Sequence, residues 1–221
     1  MPNWCSTTIK FHGSKKEIED FYNKIDSWTK QSFQENGFGD CWLGNILHGV
    51  GLGDRIDNED VKRRIRCRGY ISYLEEVECE DDEATFLLDM DSAWTPAIKM
   101  WLETIKVLKY ETVKFSYVAE ETGLGLYAIY DPFDDWPDRY RLDWYIEGED
   151  LKNKDLVAFC DNGFFTEEKH IVRELQKFLK TDETDYKKLK EQIENYKFKD
   201  EDTYVYLFEF ELLDTPDWGE L

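Results

Sequence analysis

The 221-residue chain carries 28 lysines and arginines against 49 aspartates and glutamates, a formal net charge of −21, with 41% hydrophobic and 16% aromatic residues. That is enough apolar mass for one large domain or two small ones, and the negative field disfavours nucleic acid and anionic lipid as partners and favours a basic protein surface. No apolar run approaches the ~18–20 residues of a membrane span, and the five cysteines (5, 41, 67, 79 and 160) form no C-x-x-C, which suits reduced thiols in a cytoplasm better than disulfides or zinc.

Residues 4–11 read as a first strand, with Cys5, Thr7, Ile9 and Phe11 on one face. Ser14 and Glu17 have capping-box spacing before a helix over about 15–29, whose stripe is Ile18, Phe21, Tyr22, Ile25 and Trp28. Residues 31–60 are irregular, with Gly37, Gly39, Gly44, Gly49, Gly51 and Gly53 around an apolar anchor of Trp42, Leu43, Ile46 and Leu47. No strand precedes G-V-G-L-G-D and no P-loop lysine follows it, so the stretch reads as a Gly-rich insertion, not a nucleotide cradle.

Lys62, Arg63, Arg64, Arg66 and Arg68 put five basic residues into seven, and 69–74 continues as a strand. Glu75, Glu76, Glu78, Glu80, Asp81, Asp82 and Glu83 surround a hairpin turn, after which 84–90 returns as a strand. Ser92-Ala93-Trp94-Thr95-Pro96 leads into a helix with Ile98, Trp101, Leu102, Ile105 and Leu108 on one stripe, Pro96 suiting its first turn. Val113, Phe115, Tyr117 and Ala119 share a face of the next strand; Gly123 breaks it, and 124–130 is another.

The second part, 131–221, begins with a Pro- and Asp-rich turn at 131–138 that contains Asp134 and Asp135. Tyr140, Leu142, Trp144 and Ile146 alternate as a half-buried strand, and 156–160 is a short apolar run read as another. Two helices follow, with Ile171, Val172, Leu175, Phe178 and Leu179 on the first and Tyr186, Leu189, Ile193 and Tyr196 on the second. A strand at 203–213, with Tyr204, Tyr206, Phe208, Phe210 and Leu212 on one face, precedes a loose tail at 214–221. The expected fold class is α+β. The β-α-β-β-α-β order over 4–119 is the split βαβ plan of a ferredoxin-like fold with an antiparallel sheet. Its domain spans 1–130, and 131–221 is expected to be an acidic α+β extension continuing that sheet through 124–130, 139–147 and 203–213.

Three local motifs suggest a family: Met1-Pro2-Asn3-Trp4-Cys5-Ser6-Thr7-Thr8-Ile9-Lys10-Phe11-His12-Gly13, Ser92-Ala93-Trp94-Thr95-Pro96, and the hairpin residues Tyr117, Glu120, Gly123 and Gly125. Together they resemble the YubB-type, Api-like proteins of plasmids, prophages and phages. Thr7 and Ala97 depart from that pattern, where Asn and Pro are usual. The resemblance implies a ferredoxin-like domain and a mobile-element origin, and supplies no catalytic residue. The motif residues themselves read as structural, Trp4 and Trp94 as anchors on one sheet face.

No G-x-S-x-G and no Cys/His zinc-ligand spacing is present, a Cys41–His48 nucleophile pair has no support in the pattern, and no cofactor is expected. Asp89 and Asp91 share a strand face in the way a Mg²⁺ pair would, without a third ligand, and Glu120-Glu121 reads as solvated. The function expected is non-catalytic: an acidic protein, in its concrete form a nucleic-acid mimic or inhibitor, docking on a basic host or defence protein. Its carboxylates would come from Glu75, Glu76, Glu78, Glu80, Asp81, Asp82, Glu83, Asp134 and Asp135. The alternative is a nucleic-acid-binding or metal-dependent nucleic-acid-processing protein using Arg63, Arg64, Arg66 and Arg68.

Overall fold

Strand β1 (Trp4–Ser14) buries Cys5, Thr7, Ile9 and Phe11 on its inner face. The computed structural model describes residues 3–31, 38–56 and 58–216; Met1, Pro2 and Gly37 of the motifs above, and the tail beyond Pro216, lie outside them. Helix α1 (Lys15–Trp28) buries Ile18, Phe21 and Ile25. The expected capping box does not form. Ser14 makes no side-chain cap, and Glu17 instead accepts from the backbone N–H groups of Glu111 and Thr112 and from the Thr112 hydroxyl.

Within the glycine-rich region, α2 (Leu43–Gly49) buries Leu43, Ile46 and Leu47. The glycines there are seats for rings. A Cβ on Gly44 would lie 2.3 Å from the Trp42 indole, one on Gly49 2.4 Å from the Trp28 indole, and one on Gly53 2.3 Å from the His48 imidazole. The chain then forms β2 (Gly69–Leu74), β3 (Glu78–Glu80), β4 (Glu83–Ala93), α3 (Ile98–Leu108), β5 (Lys114–Glu121) and β6 (Leu126–Tyr130). Pro96 lies before α3, whose N-cap is Ala97. Trp4 and Trp94 are not buried anchors, being 41% and 44% exposed. Glu121 is buried, not solvated, and accepts from the N–H groups of Gly123 and Leu124 to hold the β5–β6 turn.

Next come β7 (Tyr140–Tyr145), α4 (Lys154–Cys160), β8 (Phe164–Phe165), α5 (Glu168–Leu179), α6 (Tyr186–Glu194), β9 (Tyr204–Glu209) and β10 (Glu211–Leu212). The fold class is α+β. The first sheet has the order β10-β6-β5-β1-β4-β2, with β3 also on β4, and the β1–β4, β1–β5, β2–β4, β3–β4 and β5–β6 pairs are antiparallel. Beneath its inner face, Phe11 meets the rings of Phe21, Phe86, Trp101 and Phe115 at 4.9–5.8 Å.

Of the segments expected to extend that sheet, 124–130 does so as β6 and 203–213 only through β10, whereas β7 and β9, from 139–147 and 203–213, do not. They pair with each other in a separate sheet, β8-β7-β9. The chain accordingly divides into two compact units, Met1–Trp136 with Leu212–Leu221, and Pro137–Glu211. Residues 156–160 are helical, because Asn153 accepts from the Leu156 N–H as an N-cap and the run buries Leu156, Phe159 and Cys160 at helical spacing. In β9 the expected face is inverted: Val205 and Leu207 are buried, while Tyr204 and Tyr206 are exposed. Trp144, expected to be half-buried with its neighbours, is exposed as well.

The Gly44 seat sets two effects against each other. Alanine gains about 1 kcal/mol of helix propensity over glycine, whereas overpacking a filled core costs about 1–3 kcal/mol. Because the Trp42 ring is buried and backed by the core, overpacking wins, and Gly44→Ala lowers stability by about 1–2 kcal/mol in urea denaturation.

Candidate functional site

Glu76, Glu78, Glu80, Asp81, Asp82 and Glu83 are exposed around the β3–β4 turn, and Glu75 is half-buried. Several of them line a concavity of about 740 Å³ that holds charge and no aromatic ring. Asp134 is exposed.

Asp135 is not available to a partner. Its side chain is 8% exposed and is held by Lys10 Nζ at 3.0 Å, His12 Nε2 at 2.8 Å and Ser116 Oγ at 2.6 Å. Asp131 accepts the N–H groups of Asp135 and Trp136, and Phe133 stacks on the His12 ring at 4.1 Å. Burial alone would raise the Asp135 carboxyl, but the hydrogen bonds from Ser116, Lys10 and His12 outweigh it, and the group titrates below the usual aspartate value. This is a clamp for the 131–136 turn. Ser116 and His12 meet the same carboxylate oxygen, an order that differs from the Ser–His–Asp relay of a nucleophile.

In the basic run, Arg63 pairs with Asp54 at 3.0 Å, and Arg64 donates through Nε to the Asn58 carbonyl at 2.7 Å. Arg66 and Arg68 are exposed on either side of buried Cys67, ahead of β2. Asp89 accepts from the Thr8 hydroxyl at 2.7 Å, and Asp91 from the Tyr70 phenol, whose own pKa rises through burial and that bond. Among the described residues no group of three metal-ligating side chains forms, and no helix is long and apolar enough to cross a membrane.

The site with most chemistry is in the second unit, where the inverted face of β9 puts tyrosines outward. Tyr145, Tyr196, Phe198, Tyr204 and Tyr206 line a groove of about 610 Å³. Tyr204 and Tyr206 stack at 5.2 Å, Tyr145 lies 6.4 Å from Tyr204, and Tyr196 packs on Phe198 at 5.0 Å. The other charged liners are Glu147, Glu194, Glu201 and Asp202, and among the described residues no lysine or arginine lines the groove. Glu194 lies 3.8 Å from Lys190, whereas Glu147, Glu201 and Asp202 have no ion-pair partner among the described residues.

The rim is braced by its neighbours. Buried Asp150 accepts from the N–H groups of Lys199 and Asp200, Asp200 accepts from that of Glu149, and Thr203 Oγ1 from that of Glu147. Tyr145 donates to Glu147 at 3.2 Å, which raises the phenol's pKa; burial, then Asp143, raises that of Tyr204. Both rings therefore stay neutral at pH 7, and the carboxylates supply the charge. Sequence reading missed this groove because it counted tyrosine as core. The signal was there: tyrosines alternating with Val205 and Leu207, directly after Glu201 and Asp202.

Comparison with protein-family models, curated proteins and solved structures found no match.

The Asp135 clamp has a pH signature. A carboxyl with a depressed folded pKa stabilises above its unfolded value, near 4, and that stability is lost as pH falls through the lower folded value. Asp135→Asn is expected to cost about 2–3 kcal/mol at pH 7. The gap to wild type should narrow toward pH 3 in urea denaturation curves.

Proposed function

We propose that the protein is a non-catalytic binding protein whose second unit takes a lysine- or arginine-rich segment of another protein in the Tyr145–Tyr206 groove. The observation that carries this reading is the lining itself: five aromatic rings and four carboxylates, with no basic side chain among the described liners. Cations are drawn to ring faces and to carboxylates together. A cation–π contact contributes about 0.5–2 kcal/mol and a partly exposed ion pair about 0.2–1 kcal/mol, so several together give useful affinity that no single one gives. The net charge of −21 steers a basic partner inward and repels nucleic acid.

The exposed Glu76–Glu83 hairpin adds to that field without rings of its own. A decoy or inhibitor of a nucleic-acid-binding protein, encoded by a mobile element, fits this reading, because such a target presents a basic groove. The order β5-β1-β4-β2, with α1 and α3 among the crossovers, supports the split βαβ, ferredoxin-like assignment of the first unit and with it the YubB-type resemblance. The basic run is the weaker candidate: Arg63 and Arg64 engage Asp54 and the Asn58 carbonyl, and the exposed Arg66 and Arg68 sit in a chain of net charge −21 that repels nucleic acid.

The test is fluorescence anisotropy with a labelled nonapeptide of alternating lysine and threonine, at low and high ionic strength. Binding should weaken steeply with salt. Tyr204→Ala and Asp202→Asn should each weaken it about 2- to 30-fold. Wild-type affinity in both variants, with the fold intact, would remove the groove as the site.

A further inference from the structure

We propose a second cation seat on the first unit, at Asp89 and Asp91, which takes an arginine side chain of a protein partner. These carboxylates lie on the outer face of β4, opposite the buried Leu88 and Met90. Each sits in register between a tyrosine and a hydroxyl: Asp91 between Tyr70 and Ser6, Asp89 between Tyr73 and Thr8. Tyr70 and Thr8 donate to them, which fixes their orientation. Residues two apart on one strand face are about 7 Å apart, a span that a planar guanidinium with five N–H donors suits better than a compact ammonium.

Rings complete the seat. Tyr73 is 52% exposed beside Asp89. Trp4 is 41% exposed and packs edge-on to Tyr70 at 5.9 Å. A guanidinium stacks on such faces while its edge meets a carboxylate.

Charge complementarity commits the occupant. Asp89 and Asp91 are half-buried, and neither has a lysine or arginine partner among the described residues. The cation nearest along β1, Lys10, is taken by Asp135. A divalent ion would want a third ligand, and no group of three forms among the described residues. Trp4, Ser6 and Glu120, from two of the sequence motifs, lie on this same face, with Ser6 paired to both Asp91 and Glu120. This seat stands on observations separate from those of the groove.

Calorimetry on the full chain, with a nonapeptide of alternating arginine and glycine, tests it. Two peptides should bind per chain. Asp89→Asn with Asp91→Asn should reduce the count to one, as should Tyr73→Ala, an exposed position that leaves the strand pairing intact. Tyr204→Ala should weaken the other about 2- to 30-fold. A single peptide per chain, weakened in Tyr204→Ala and unchanged in both first-unit variants, would overturn the second seat and leave the groove reading standing. A single peptide lost in the first-unit variants and unweakened in Tyr204→Ala would do the reverse. Titration with Mn²⁺ alone that perturbs Asp89 and Asp91, with no peptide uptake there, would replace the arginine seat with a metal site.

Discussion

Double pairing of β1 is the constraint on which the first unit depends. Its residues are matched to β4 from Trp4 to Ser14 and to β5 from Ser6 to His12, so its phase is fixed twice. A one-residue slip would carry every inward side chain to the outer face. Phe11, held between two neighbours, becomes the ring on which Phe21, Phe86, Trp101 and Phe115 converge. The opposite parity sets the other face: Ser6, Thr8, Lys10 and His12 point outward, and each meets a carboxylate or lies in register with one.

The acidity has two uses. Some carboxylates serve as clips for backbone N–H groups: Glu17 at Glu111 and Thr112, Glu121 at Gly123 and Leu124, Asp131 at Asp135 and Trp136, and Asp150 at Lys199 and Asp200. Hydrogen bonds to an ionised acceptor are the stronger kind, and they hold turns that lack regular structure. Others, at the β3–β4 turn, on the groove rim and on the outer face of β4, stay at least partly open to solvent; among them Asp89 and Glu147 accept side-chain hydroxyls and Glu194 the Leu207 N–H. In a chain with net charge −21, it is this second class that gives the surface its direction.

How far the fold was legible depends on how each segment marked its inner face. Val113, Phe115, Tyr117 and Ala119 were read correctly because both neighbouring strands and the helices cover that side, and all four are buried. Tyr204, Tyr206 and Phe208 alternate just as cleanly, yet the opposite parity is inside. Period two gives two phases, and only the aliphatic Val205 and Leu207 break the tie. Residues 156–160 are too short for periodicity to decide between strand and helix; the Asn153 cap decides it. Asp135 reads as a carboxylate for a partner because Lys10 and His12, which hold it, lie more than 120 positions away, a distance that no local pattern spans. The groove combines residues from the end of β7, the α6–β9 connection and β9, so it too exists only after folding.

The route of the chain through its two units has a temporal consequence. The first unit breaks off at Trp136 and resumes at Leu212, where β10 joins β6 and the Leu213 N–H reaches the Ile129 carbonyl at 2.8 Å. On a ribosome, the second unit is therefore complete while the first sheet still lacks its outermost strand. The earlier-made sheet waits with β6 open along one edge, the condition in which strands pair wrongly with other chains. Residues 211–213 act as a seal, and synthesis halted just before them would release a chain with that edge still bare.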